Sequence, residues 1–509
     1  MGMQALSPHA TAPTSAAQRW TFLVVISAGL FLVGADNSIL YTALPELRDQ
    51  LDTTATQSLW IINAYPLVLS GLLLGTGTLG DRIGHRRMFT LGVILFGLGS
   101  LAAAFSPSAW FLVAARALLG VGAATMMPAT LALIRITFTD ERERNTAIGI
   151  WGSVAVVGAA MGPVMGGLLL EFFWWGSVFL INVPVVVLIL IFTALIAPPN
   201  LANPAKHWDA VSSVWAMAAM VGMVLSIKEV ANADRSGILL AAGLVLGVVG
   251  AVLFVRRQQR LTEPLLVFGI FKNRIFTGGV LAAGLMMVIM SGTELMTTQR
   301  FQTVADFSPL EAGLLVASVA VPAIPMAVLG GANLHRLGFL PLISGGFTLM
   351  ALGLTGAILA FIASSPLWMF VVSLMLVGMG GGLAASVAST AIMGSAPRSR
   401  AGMAASVEEV SYEFGTLISV AVLGSLMPLV YALNAPEAVA HDVDHGVDHA
   451  VHGAAAVGAY DTAYLTVLII VAAVAVLSAA ITAYCFRDNP KGAVAVEDEQ
   501  AREHSATSH

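Results

Sequence analysis

Six ionisable side chains stand inside long apolar runs: Asp36, Arg116, Glu294, Glu408, Glu409 and Glu413. A charge at the centre of a membrane helix costs about 2.5–3.5 kcal/mol on insertion scales, so six facing lipid would cost roughly 18 kcal/mol before any discount near an interface. Folded chains are stable by only about 5–15 kcal/mol. These groups are therefore expected to face one another or a wet central cavity, where carboxylates exchange protons and attract cations. Glu409 and Glu413 are four apart and share one helix face. At about 6 Å and an effective dielectric of about 20, two ionised carboxylates repel by about 3 kcal/mol. The pair is expected to hold one proton near neutral pH and to be able to exchange it for a cation.

The elements that must position these groups are membrane helices, since a hydrocarbon core of about 30 Å needs about 20 apolar residues to cross it. Fourteen such runs are expected, at 21–42, 58–79, 88–106, 109–134, 146–170, 175–197, 210–228, 236–255, 275–298, 312–332, 339–362, 367–393, 402–430 and 460–486. An even number puts both termini on one side. With the N-terminus cytoplasmic, the outer loops hold only Arg48, Lys228, Arg235 and Arg300 of the 24 Lys and Arg. Arg116 is intramembrane, leaving 19 inside. That asymmetry fixes the register. Asp36, Asn63, Arg116 and Glu294 then form a rough layer in the outer half of the membrane, counting 1.5 Å per residue. Glu408 and Glu409 fall toward the cytoplasmic side, and Glu413 nearer the middle.

The composition agrees. With 57% hydrophobic and 10% charged residues and a mean hydropathy of +0.86, the 509-residue chain is not a soluble globular protein. The net charge of −5 says little. One cysteine, Cys485, rules out a disulfide framework. The first apolar run, 21–33, leads into Asp36 without a small-residue cleavage site, so it reads as a retained span. No Gly-x4-Gly-Lys-Ser/Thr loop is present to take ATP, and no nucleophile–base constellation suggests an enzyme. No nucleic-acid signature appears. The proton gradient is the expected driving force, with no cofactor.

Five motifs carry a resemblance. Gly77–Arg87 reads GTLGDRIGHRR, a tight loop with glycines at 77, 80 and 84, and with Arg82, Arg86 and Arg87 in reach of Asp81. Gly331–Gly338, GANLHRLG, repeats its Gly-x4-Arg-x-Gly spacing after the tenth span. The first loop resembles motif A of the major facilitator superfamily. Gly34–Leu47, GADNSILYTALPEL, resembles the first-helix motif of the drug:proton antiporter branch with fourteen helices. It matches at Asp36 and Ala43-Leu44-Pro45, and departs with Ser38 for Thr and Tyr41 for Asn. LVAARALLGVGAA places Arg116 and Gly120 as motif B does. GAAMGPVMGG, with Gly158, Gly162, Pro163, Gly166 and Gly167, resembles motif C, the antiporter signature. Ser406–Gly415, SVEEVSYEFG, is similar to the matching helix of quaternary-ammonium and methyl-viologen efflux pumps.

The resemblance implies an all-α membrane protein with two six-helix bundles and two additional central helices. The implied division is a cytoplasmic N-terminus 1–18, an N-terminal bundle 19–197 and a linker with the extra helices 198–260. A C-terminal bundle 261–486, with an outer loop 431–459, and a cytoplasmic tail 487–509 follow. It implies proton-coupled efflux of lipophilic cations such as quaternary ammonium compounds, dyes and biocides across a bacterial cytoplasmic membrane, by a monomer. Asp36, Arg116, Glu409 and Glu413 take proton coupling; Asp36, Asn63, Glu294, Glu408 and Glu409 take substrate. Relatives often carry Asp where Asn63 stands, which puts divalent cations in doubt. Trp60, Tyr65, Trp151, Phe301 and Tyr412 are candidates to offer cation–π faces. An alternative is export of an endogenous metabolite, lipid or antibiotic. The outer loop sequence HDVDHGVDHAVHG makes His441, His445 and His449 weak candidates for a metal.

Overall fold

Every one of the fourteen expected runs is helical. The first bundle comprises α1 (Ala16–Leu51), α2 (Ala55–Ile83), α3 (His85–Ala104), α4 (Ala109–Thr137), α5 (Glu141–Phe172), α6 (Ser177–Leu180) and α7 (Asn182–Ile196). A hairpin of α8 (Ala210–Ala231) and α9 (Gly237–Arg260) follows, then a 3-10 turn at Phe268–Lys272. The second bundle comprises α10 (Arg274–Thr303), α11 (Pro309–Leu337), α12 (Phe339–Ile362), α13 (Leu367–Ser395), α14 (Ala401–Asn434) and α15 (Gly453–Phe486). This computed structural model describes residues 15–204, 208–231, 236–261, 264–396, 401–436 and 453–487. His441, His445 and His449, with the rest of 437–452, lie outside the described residues.

Among the described residues, twelve helices are long and apolar enough to cross a membrane, with α6 and α7 forming one run. Helix α2, bent by 58°, makes a thirteenth, and α5 carries the shorter apolar stretch Val157–Phe172. Their outer surfaces are greasy: α9 alone exposes Leu244, Val245, Val248, Val249 and Val252. Such a surface suits lipid rather than water.

Local chemistry sets the helix ends. Ser308 caps α11 with Glu311 closing a capping box, and Thr54 does the same for α2 with Gln57. Two breaks rest on glycine alone. Gly84, at φ +95°, separates α2 from α3, and Gly338, at φ +83°, separates α11 from α12. Each donates its N–H four residues back, to Gly80 O and Leu334 O, at 2.8 Å. Only glycine takes this backbone cheaply. The repeat seen in the sequence is thus one turn used twice.

Within the first loop the charges are placed differently from expectation. Asp81 pairs with His85 at 3.1 Å, while Arg86 reaches back to the carbonyls of Ala194, Ala197 and Pro198, at 3.3–3.5 Å. A cation at the carbonyl end of α7 is favourably placed against its dipole. Asn200 bridges the turn, donating to Ile83 O at 2.8 Å and accepting from Arg87 N at 3.1 Å. The segment leading to α8 is thereby stitched to the first bundle.

The motif C glycines form a flat face on α1. A β-carbon on Gly158 would sit 2.6 Å from Phe31 O, on Gly162 2.7 Å from Ala35 O, and on Gly166 2.7 Å from Ile39 Cγ1. The neighbouring Gly167 lies against Pro309 and Leu310 of α11, and Gly313 of α11 lies against Pro163. Leu59 meets Gly424, and Gln302 donates to Thr42 O at 3.0 Å. These close approaches between the bundles lie toward the end that carries Ser308, away from Gly84 and Gly338.

The hairpin sits over the α2–α14 seam. Gly222, Gly243 and Gly250 let α8 and α9 pack backbone to backbone, and α8 rests on α2 through Met217 on Gly71. Val224 of α8 joins Leu67 of α2 with Leu417 and Ala421 of α14 in one small core. At its base Arg257 clamps Asp209 at 2.8 and 3.0 Å. Burial pushes the Asp209 carboxyl up, but the bonds from Arg257 and Ser212 hold it below its ordinary range.

Replacing Gly162 by Ala overpacks the α1–α5 contact and should cost about 1–3 kcal/mol. Thermal unfolding of the purified protein in detergent should show a lowered midpoint. Gly237→Ala, with nothing within 4 Å of its added carbon, should hold or raise it.

Candidate proton and substrate site

Helix α4 approaches α2 closely because residue 120 is glycine: a β-carbon there would lie 2.7 Å from Tyr65 O. One turn earlier, that contact leaves Arg116 enclosed, with none of its side chain exposed. Its Nη1 pairs with Asp36 of α1, equally enclosed. Its Nε donates to Ile61 O at 3.2 Å, and its guanidinium lies 4.6 Å over the Tyr65 ring. The second oxygen of Asp36 accepts from Asn182 Nδ2 at 3.2 Å, and the same amide donates to Ser100 at 3.1 Å. Residue types and spacing alone do not single out Asn182. Its one signal is that of a lone amide opening the apolar run of α7.

The second bundle faces this pair with acids. Glu413, 9% exposed, lies within the field of Arg116, and Glu409 lies within the field of Glu413 as the four-residue spacing requires. Tyr65 of the first bundle feels Asp36, Glu413 and Glu409. Tyr41, one of the departures from the first-helix motif, is 3% exposed and lies among Glu294, Glu413 and Arg116. One site therefore draws on α1, α2 and α4 from one bundle and on α10 and α14 from the other.

Three buried polar atoms of this site are without a protein partner, Arg116 Nη2, Tyr65 Oη and Glu413 Oε2, and on α2 both Oδ1 and Nδ2 of Asn63 are unpaired as well. Buried polar groups in native proteins are nearly always satisfied. A cluster of exceptions is what a site for a polar or charged guest, or for water, requires.

Several candidates fall elsewhere. Glu408 turns from the Glu409–Glu413 face toward Ser389 and accepts from Tyr412 Oη at 3.1 Å. Trp60 packs in the α2–α8–α14 core. Trp151 donates to Thr130 Oγ1 at 2.9 Å, tying α5 to α4. Phe301 meets Phe307 edge-on and Phe370 at a tilt, with ring centres 5.0 and 5.3 Å apart. Tyr65 has its face under Arg116 rather than open to a ligand. The Tyr65 and Phe301 rings each already meet a cation of the protein, Arg116 at 4.6 Å and Arg300 at 5.0 Å.

Comparison with known proteins fits this geometry. The Major Facilitator Superfamily model matches residues 26–419, and again 275–508. The chain is 38% identical over 411 residues to the methyl viologen resistance protein SmvA of Salmonella typhimurium, covering 81% of this chain and 83% of that one. It is 36% identical over 419 residues to the multidrug efflux pump LfrA of Mycolicibacterium smegmatis, covering 82% of each. In fold it is similar to a bacterial homolog of the human lysosomal transporter Spinster, with a TM-score of 0.65 at 16% identity. That match covers 93% of this chain and 98% of that one.

Asp36→Leu alone leaves Arg116 buried and unpaired, and should destabilise the protein by about 3–5 kcal/mol, whereas exchanging both partners for apolar residues is often neutral. Denaturation in detergent should show Asp36→Leu with Arg116→Met recovering most of that loss.

Proposed function

The chain belongs to the Major Facilitator Superfamily, and on that premise we propose that it is a proton-coupled multidrug efflux antiporter for lipophilic cations. The observation that carries this reading is the buried Asp36–Arg116 pair faced by Glu413, Glu409 and Glu294 across the two bundles. Arg116 keeps its charge at any relevant pH, so what varies is which carboxylate answers it. A cation entering beside Glu409 and Glu413 neutralises them as a proton would, and the two cannot both be held at full strength. Competition for the same carboxylates is the coupling.

The arginine-rich loops put the Gly84 end in the cytoplasm, with both termini on that side of a bacterial cytoplasmic membrane. The bundles meet at the opposite end, through Gly167 on Leu310 and Leu59 on Gly424. This is the arrangement of a transporter loading from inside. Separation of those contacts, and closure at the Gly84 end, gives the outward state of alternating access. The names of SmvA and LfrA support export of methyl viologen-like and other drugs. Asn63, an amide where relatives often carry Asp, brings no net charge to the site, which favours monovalent over divalent cations.

Reconstituted into liposomes with an acid interior, the protein should accumulate ethidium. Asp36→Asn and Glu409→Gln should each lower the initial rate at least tenfold. Gradient-driven uptake that survives both changes would contradict the proton sites. A folded protein that moves no cation would point instead to export of a neutral metabolite or lipid.

A further inference from the structure

Asp36 is held from both sides by donors of different kind. Arg116 occupies Oδ2 with a full charge. Asn182 occupies Oδ1 with a neutral amide at 3.2 Å, itself tethered to Ser100 at 3.1 Å. Asn182 and Ser100 are 3% and 0% exposed. The atom facing an ionised carboxylate must be a donor, which fixes the amide with its nitrogen toward Asp36. The groups around Asp36 are then Arg116 from α4, Tyr65 from α2, Asn182 from α7 and Ser100 from α3.

Resting on the proton-coupling role given to Asp36 above, we infer that Asn182 is the positioning residue that keeps Asp36 in place while its protonation and its pairing with Arg116 change. A guanidinium prefers a carboxylate to a neutral acid, because most of that bond is charge assistance. A neutral amide loses only part of its bond when its acceptor becomes the carbonyl oxygen of a carboxylic acid, because no full charge of its own is at stake. When a hydronium ion passes its proton to Oδ2 and leaves as water, the ion pair with Arg116 breaks. The Asn182 bond to Oδ1 persists, and the freed guanidinium acts more strongly on Glu413, which already lies in its field. Loss of the proton reverses each step. The amide thus gives one fixed point to a switch whose other contact comes and goes. Ser100 completes it by holding the second amide hydrogen, so that Asn182 cannot follow Arg116.

Two reactions of the reconstituted protein separate this role from a structural one. Uptake of ethidium driven by an acid interior needs Asp36 to load and unload a proton. Exchange of ethidium for ethidium, without a pH gradient, does not need that cycle. Asn182→Leu should lower gradient-driven uptake at least tenfold, chiefly in maximal rate rather than KM, while exchange falls no more than threefold. Asn182→Gln, which keeps the amide, should retain at least a third of gradient-driven uptake. Ser100→Ala, a smaller change that guards against misfolding of the leucine variant, should lower it about threefold and leave exchange intact. Equal loss of both reactions in Asn182→Leu and Asn182→Gln would overturn the inference, as would gradient-driven uptake unaffected by Asn182→Leu and Ser100→Ala. Asp36→Asn run alongside distinguishes the two levels. If it loses gradient-driven uptake while Asn182→Leu does not, the coupling role of Asp36 stands and the role of Asn182 falls. If Asp36→Asn keeps that uptake, both fall.

Discussion

A guanidinium with no exposed surface in the middle of a membrane protein constrains everything near it. Arg116 cannot shed its charge, and its desolvation is tolerable only with an anion and further acceptors in contact. Asp36, the Ile61 carbonyl and the Tyr65 ring supply these from α1 and α2. The register of α1, α2 and α4 is therefore locked around one ion pair. The same charge reaches Glu413 on the other bundle, so a change at Asp36 is felt across the seam.

The rest of the fold is arranged so that helices can bring these groups close and still slide. Glycine does most of this. On α5, Gly158, Gly162 and Gly166 leave no side chain between the backbone and α1, so Asp36 is carried on a helix seated flush against its neighbour. One residue further, Gly167 forms part of the contact with α11. The same short segment thus joins α1 to the contact that closes one end. The α8–α9 hairpin adds a second layer: it is stitched to the first bundle by Asn200 and by Met217 on Gly71, yet shares a small apolar core with α14. Apolar side chains at that core impose no fixed hydrogen-bond register between the bundles.

Much of this is legible in the sequence because membranes enforce simple rules. Apolar length sets the helices, and buried charge is so costly that residue type alone assigns Asp36, Arg116, Glu409 and Glu413 to an interior. Glycines at 84 and 338 announce their turns through spacing. What the sequence does not carry is direction in three dimensions. Glu408 and Glu409 are adjacent, and only the packing of α13 decides that Glu408 turns to Ser389 and Tyr412. Phe301 and Trp60 read as cation acceptors by type, but Phe301 meets Phe307, Phe370 and Arg300, and Trp60 packs in the small core of α2, α8 and α14. Asp81 finds His85 one turn on rather than an arginine, while Arg86 is turned toward the carbonyls at the end of α7. Asn182 carries no charge and no motif, so its place beside Asp36 emerges only from the meeting of α1, α3 and α7.

The central claim is that cation and proton compete for the same buried carboxylates. It is tested most directly by binding ethidium to the purified protein in weakly buffered detergent near pH 7 while recording the pH. The account predicts that saturating ethidium releases protons in a fixed ratio to cation bound, and that Glu409→Gln with Glu413→Gln abolishes the release. Stoichiometric binding of ethidium with no proton released from the unaltered protein would contradict it.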